Sequence, residues 1–420
     1  MKPGEVKTDF PLLAQEGLIY LDSAATSQKP TQVLKAINHY YQTQNANVHR
    51  GVHRLSDLST TVYQQARETI SNFFGANSDE LILTRNTTEA INGIAYGWAD
   101  HNLQAGDTIL ASLLEHHSNL VVWQQVAKRT GCNLELVSLT SDGQLDLADL
   151  QQKLQQFSVK LISLVHVSNT TGAVLPVAEI TKILDEVYQN SDRQKPRIVL
   201  DGAQSAPHLP INFSNLEVDF YAFSGHKMLG PMGIGGLLVR REILESGEMQ
   251  PWLFGGGMIS EVYSDHTIFH SDLSDRFTAG TPDVACAVGL AAACDYLSAI
   301  GMSNVLTHDQ NLVEYALEKL SKIPQIHLIG PLTAKSENNH PNRLGSVAFL
   351  FEGVHAHDVA QVLDSVGVAV RSGHHCTMPL HLANNWVATT RASFQVYNSE
   401  EDIDTLIDGL SKVAQVFKNV

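Results

Sequence analysis

Three short segments carry residue types that can do chemistry together: Ser224-Gly-His-Lys227, Asp201-Gly-Ala-Gln204 and Arg371-Ser-Gly-His-His-Cys376. The first two each end an apolar run, so a lysine and a carboxylate come to the ends of neighbouring strands. Strand ends are where α/β sheets put their ligands. A lysine there can form a Schiff base, and a carboxylate can hold a pyridinium nitrogen protonated, which is what pyridoxal phosphate (PLP) asks of a protein. Gln204, three residues past Asp201, can hydrogen-bond the ring oxygen of such a cofactor. Cys376 adds a thiol, and the combination points to chemistry on sulfur.

The remaining parts of a PLP site have candidates too. Thr87-Thr88-Glu89 opens a helical pattern, where hydroxyls and free backbone N–H groups make an anion site. Ser224 and His226 flank Lys227 and can donate to the same phosphate as Thr88. His116, followed by His117 just past an apolar run, can lie flat on a ring and shuttle protons. Arg391, in Thr390-Arg-Ala-Ser, can clamp a substrate carboxylate bidentately. Cys376 follows Arg371 and two histidines in a polar segment, and cationic neighbours favour a thiolate. Cys132, Cys286 and Cys294 sit in apolar or helical contexts and read as structural. Taken singly, each residue has a plainer reading: a solvated lysine, a turn aspartate, a loop histidine, a helix-capping threonine, a surface ion pair. Their assembly carries the argument.

Other chemistries are disfavoured. The glycine-rich run 230–236 follows one strand and opens another rather than a helix, so it is no dinucleotide fingerprint. His49 and His53 have ligand spacing only on a helix, which Gly51 disfavours, and His374-His375-Cys376 lacks a matching pair. No metal is expected.

The elements that must position these residues are legible as alternation. Strands are predicted over 81–83, 108–112, 134–137, 161–167, 198–200, 220–223 and 236–239, with helical patterns such as 61–74 and 88–98 between them. Repeated β–α alternation predicts an α/β fold with a mostly parallel sheet of seven strands, mixed where the last connections are short. After Thr281-Pro282 a small-residue helix over 283–300 leads to a smaller α+β unit. That unit has helices over 312–320, 357–365 and 401–417 and strands over 345–351 and 368–371. The expected division is a large cofactor-binding domain over 22–285 and a small domain over 286–420. The small domain is joined by 1–21 and carries Cys376.

Composition excludes several classes. The 420 residues are 43% hydrophobic and 17% charged, as in a large compact enzyme. A net charge of −16 argues against nucleic-acid or anionic-membrane partners. The four cysteines are widely spaced, which suits a reducing compartment. The N-terminal residues lack the apolar core of a signal peptide, and no run approaches the ~20 residues of a membrane span. A cytoplasmic protein is expected.

Together these segments resemble the class V branch of fold-type I PLP enzymes, specifically the Suf-type (group II) cysteine desulfurases. The pieces that carry the likeness include Tyr20-Leu-Asp-Ser-Ala-Ala25, Val48-His-Arg-Gly-Val-His53, Arg85-Asn-Thr-Thr-Glu89 and Glu115-His-His-Ser-Asn119. Further along are His166-Val-Ser-Asn169, Ala279-Gly-Thr-Pro282 and the three segments named at the outset. The resemblance implies that Lys227 holds PLP, Asp201 faces the ring nitrogen, Gln204 the ring hydroxyl, and His116 stacks on the ring. It implies phosphate contacts from Thr88, Ser224 and His226, and from Thr281 to the partner subunit of a homodimer. Asn169 and Arg391, with Arg371 next in line, would hold the substrate carboxylate, and Cys376 would take the sulfur of L-cysteine as a persulfide. An acceptor of the SufE or SufU kind would receive that sulfur for iron–sulfur cluster assembly. Selenocysteine lyase activity at the same site, or another class V reaction of the aminotransferase or kynureninase kind, stays open. Asn86 departs from the glycine that relatives often carry.

Overall fold

The computed structural model describes residues 2–418 except 3, 50, 190 and 337–339, so Arg50 of the segment Val48 to His53 lies outside the described residues. Strands β1 (Leu81–Thr84), β2 (Thr108–Ser112), β3 (Asn133–Val137), β4 (Val159–Val165), β5 (Arg197–Asp201), β6 (Phe220–Ser224) and β7 (Gly235–Val239) form one sheet. Their order is β1-β7-β6-β5-β4-β2-β3. Only the pairings of β7 are antiparallel in this sheet; the other four are parallel. Strands β2, β6 and β7 are buried at every position. That explains why they read as unbroken apolar runs: helices cover both faces and leave none to water. From β2 the chain goes outward to β3 and returns on the other side at β4. Such a reversal opens a crevice at the carboxyl ends of the strands.

One face of the sheet packs on helices Thr31–Thr43, Arg54–Phe73, Leu147–Gln156, Val177–Tyr188 and Val284–Ile300. Helices Thr87–Ile94 and His117–Thr130 cover the other, with Trp98 and Trp123 in that core. Val284–Ile300, set by the sequence at the start of the second unit, buries its apolar residues in the large core, against Thr31–Thr43 and Arg54–Phe73. Its small residues permit close approach: a Cβ on Gly289 would lie 2.7 Å from Ile37. No single helix among the described residues is long and apolar enough to cross a membrane.

The second sheet contains β8 (Ile326–Ile329), β9 (Ser346–Phe351), β10 (Arg371–Gly373) and β11 (Thr389–Ser393), antiparallel in the order β8-β9-β11-β10. Helices Met302–Ser321, Ala356–Asp364 and Glu400–Val416 supply its core. Near the N-terminus, Ile19–Tyr20 pairs in parallel with Val368–Ala369, and Leu21 enters the same core.

Several boundaries differ from the sequence reading. The helix expected over 61–74 begins at Arg54, where the His53 ring accepts the Ser56 N–H at 3.2 Å. The helix expected over 312–320 begins at Met302. The expected strand over 368–371 divides, its first half pairing with Ile19–Tyr20 and its second entering β10. The helix expected over 88–98 widens into a π turn at Ala95–Ala99. Gly97 there lies under the main chain of Gln250, where a Cβ would come within 2.4 Å of the carbonyl oxygen.

Candidate active site

All of the candidate residues except Thr281 line one cavity of about 250 Å³ between the two sheets. They reach it from separate elements: Thr88 after β1, His116 after β2, Asn169 after β4, Asp201 at the end of β5 with Gln204 just past it, and Ser224 at the end of β6 with His226 and Lys227 just past it. The small sheet supplies Arg371 and Arg391, and the loop after β10 supplies Cys376. Thr281 lines a different cavity, with Asn47, His49 and Gly257.

Asp201, 2% exposed, accepts the Ala203 N–H at 3.0 Å. Burial pushes its carboxyl up, and that bond and the charge of Lys227 only partly offset the push. The Lys227 amine is drawn down to about 8, again by burial first. Desolvation thus outweighs the mutual attraction of the two groups. A cation held against Asp201 by a ligand, such as a protonated ring nitrogen, would restore the carboxylate. Gln204 spends one Nε2 hydrogen on Ala24 O at 2.8 Å.

At the other end of the cavity, Ser224 Oγ accepts the Thr87 N–H at 2.9 Å and meets Thr87 Oγ1 at 2.7 Å. Asn86 caps the helix that follows, accepting the Glu89 N–H at 3.0 Å. The turn closes over β7 because Gly235 has no side chain: a Cβ there would lie 2.9 Å from Asn86 Cα and 2.4 Å from Phe223 O. Lys29 ties this end together. Its Nζ donates to Ser27 O, to His226 O at 3.2 Å and to Thr26 Oγ1 at 3.3 Å, and burial draws it down to about 8. Hydroxyls and a helix start, with Lys227 beside them, make an anion site.

His116 is both a wall of the cavity and the cap of helix His117–Thr130, its Nδ1 accepting the Ser118 N–H at 3.1 Å. Burial, with Lys227 next, pulls the ring well below its usual range, so it is neutral. With Nδ1 an acceptor, the proton sits on Nε2. Arg391 is fully buried. Its Nη1 donates to Asn169 O at 2.7 Å, its Nη2 to Asp22 Oδ1 at 3.0 Å, and Nε has no partner among the described residues. Arg371 stands directly opposite it in the β10–β11 register. Like charges facing each other across strands are destabilising, and the arrangement suits a site that receives an anion.

Cys376 is held by its backbone. Its carbonyl accepts the His117 N–H at 2.8 Å, and the preceding carbonyl accepts Asn169 Nδ2 at 2.7 Å. Thr377 Oγ1 meets Thr170 Oγ1 at 2.9 Å, and His117 Nε2 accepts the Met378 N–H at 3.1 Å. His375 and Cys376 both take the left-handed conformation, φ 50° and 59°, which non-glycine residues adopt at a cost. The other thiols are pushed up by burial, Cys286 to about 12, with Cys132 and Cys294 in the same direction. Among the described residues no group of three His, Cys, Asp or Glu is placed to hold a metal ion.

Sequence reasoning missed Asp22 and Lys29, which reach the site from far along the chain, and the pins on the Cys376 loop. No local pattern marks them, since a carboxylate 369 residues from its arginine has no spacing to read.

Residues 19–406 match the family model described as aminotransferase class-V. A cysteine desulfurase of Haloferax volcanii is 42% identical, over 98% of this chain and 97% of its own length. The apo structure of a cysteine desulfurase from Thermococcus onnurineus NA1 superposes with a TM-score of 0.90 at 37% identity, covering 99% of this chain and 98% of that one. This chain belongs to the class V family and, within it, to the cysteine desulfurases. A further solved relative is a C-DES variant with glycine covalently linked to its PLP cofactor. Its TM-score is 0.82 at 25% identity, over 96% of this chain and 98% of that one. The fold is therefore that of fold-type I PLP enzymes, mixed seven-stranded sheet included.

Proposed function

We propose that this protein is a PLP-dependent cysteine desulfurase that converts L-cysteine to L-alanine and leaves the sulfur as a persulfide on Cys376. One observation carries the reading: a thiol lines the same cavity as a lysine, a buried carboxylate and a buried arginine with a free donor. An aminotransferase or kynureninase-like lyase has no use for that thiol.

The residues present fit the cofactor. Asp201 would hold its ring nitrogen, Gln204 its ring hydroxyl, and Thr88, Ser224 and His226 its phosphate, with Lys227 as the covalent anchor. When bound, PLP supplies a sink for the electrons left at the substrate Cα. Arg391 would orient the substrate through its free Nε–H and neighbouring Nη2–H, the edge that binds a carboxylate bidentately. The Lys227 amine takes the Cα proton, and its lowered proton affinity suits a base near neutral pH. Cys376 thiolate attacks the substrate sulfur. An S–S bond forms, the C–S bond breaks, its electron pair stays with carbon, and a proton reaches Cβ. Cysteine carbon is reduced, the two sulfurs are oxidised to a persulfide, and alanine leaves. His116 would present its Nε2–H as a donor beside the cofactor ring.

Thr281 lies outside its own cavity, which supports the reading that it reaches the phosphate of a partner subunit in a homodimer; sedimentation of the holoprotein tests the dimer. A SufE- or SufU-like protein is the sulfur acceptor in this reading, in a Suf-type pathway for iron–sulfur assembly. Four free cysteines suit the cytoplasm.

Purified protein given cysteine should release alanine, with equimolar sulfide when a reductant is present. No alanine, or alanine without sulfur, overturns the proposal. Arg391→Ala should weaken cysteine binding by about 2–3 kcal/mol, the scale of a lost charged hydrogen-bond pair. The KM rises by about 30- to 150-fold while PLP absorbance is retained; an unchanged KM moves the clamp to Arg371. Asp201→Asn should retain part of its PLP but lose turnover, because an amide cannot hold the ring proton. Wild-type turnover in that variant removes Asp201 from the role.

A further inference from the structure

Beneath the site lies a chain of buried polar groups that the mechanism does not use. Glu115, 1% exposed, accepts from Ser112 Oγ at 2.5 Å and from Asn119 Nδ2 at 2.6 Å. Asn119 Oδ1 in turn accepts from Trp123 Nε1 at 3.1 Å and from Ser163 Oγ at 2.6 Å. An indole nitrogen only donates, so the amide of Asn119 has one orientation and its Nδ2 must face Glu115. Ser112, Asn119, Ser163 and Trp123 are all fully buried.

The topology gives this chain a purpose. Ser112 ends β2, Ser163 lies within β4, and Asn119 and Trp123 sit on helix His117–Thr130. Glu115 therefore bonds both flanks of the turn that holds His116, and the chain ties that turn to two strands of the sheet. No cation is among the partners of Glu115 in the described residues; burial pushes its carboxyl up to about 8, against the hydrogen bonds from Ser112, Asn119 and the Val165 backbone.

We infer that Glu115 is a positioning residue for His116, acting as a hydrogen-bond tether that fixes the imidazole where the cofactor would lie. This rests on the PLP reading above. Glu115→Gln keeps the shape and an acceptor oxygen, and should match the wild type within about twofold in kcat and in the visible circular dichroism of bound PLP. Glu115→Ala removes the tether. It should weaken the dichroic band and lower kcat per bound cofactor by about 10- to 100-fold, the scale of a small misplacement of a reacting group, with KM within about twofold. Should Glu115→Ala fail to fold, Ser112→Ala should show the same changes in smaller degree. A residue that serves stability alone would lower the melting temperature of Glu115→Ala but leave band and kcat per cofactor intact, and that result overturns the inference. So does a Glu115→Gln variant as impaired as the alanine one, because a charge would then be required. The dichroic band is read without cysteine. Its absence from the wild type removes the PLP reading, whereas its presence in the wild type and persistence in Glu115→Ala removes only this one.

Discussion

Cys376→Ala should bind PLP and cysteine as the wild type does, and release almost no alanine. Neither binding step would use the thiol, since in the proposed mechanism Lys227, Asp201 and Arg391, which line the cavity from other elements, would hold cofactor and substrate. Without the nucleophile the C–S bond has no partner for its sulfur, so the expected loss is the whole of measurable desulfuration. Mass spectrometry of wild-type protein after cysteine should find the added sulfur on the Cys376 peptide. The other three thiols are poor substitutes, because burial holds Cys132, Cys286 and Cys294 in the protonated form, and the thiolate is the nucleophile. Alanine release surviving in Cys376→Ala, or sulfur found on another cysteine, would falsify the mechanism. Because an aminotransferase would be indifferent to this change, the variant also separates the reactions possible within the family.

Lys227→Ala should lose covalent attachment of PLP and with it at least about 10³-fold in kcat, within the range of removing a general base. Borohydride should fix the cofactor to the Lys227 peptide in the wild type and to nothing in the variant. The wild-type amine adds a pH signature. An amine must be neutral to attack an aldehyde, and burial draws Lys227 down to about 8 from the usual 10.5. Capture of PLP by apoprotein should therefore rise as pH passes through about 8 and level off above it. A rate that keeps climbing toward pH 10.5 would show an ordinary solvated lysine and remove Lys227 from the role.

Much of the large unit was legible because its strands are buried on both faces. Seven apolar runs map onto β1 to β7 within two or three residues. The residues at their carboxyl ends, Asp201 and Lys227 above all, could be placed from that pattern alone. β11 shows the limit. Its residues Thr-Thr-Arg-Ala-Ser are buried at all five positions, yet three carry hydroxyls and one a guanidinium, so no hydrophobic period announces a strand. Arg391 was legible by type but its strand was not. Helix starts failed for a related reason. Arg54 opens a helix whose first turn is mostly polar, Met302 one whose early apolar residues are broken by Ser303 and Asn304, and the cap at His53 is a residue type that sequence rules do not flag. The partners of Asp22 and Lys29 lie beyond sequence reasoning, even though Asp22 stands in a segment that carries the likeness, since only the closed fold brings the N-terminal segment under Arg391 and His226.

The pinned backbone around Cys376 has a consequence for timing. The carbonyls of His375 and Cys376 are gripped by Asn169 and His117, which follow strands β4 and β2 of the large sheet, while the thiol sits on the loop that follows β10 of the small one. Any rocking apart of the two sheets wide enough to admit an amino acid must break those grips and withdraw the sulfur. In the proposed mechanism the nucleophile would then be armed only with the jaws shut: a half-entered substrate would meet no thiol, and a stored sulfur atom would be sheltered until something prises the loop away.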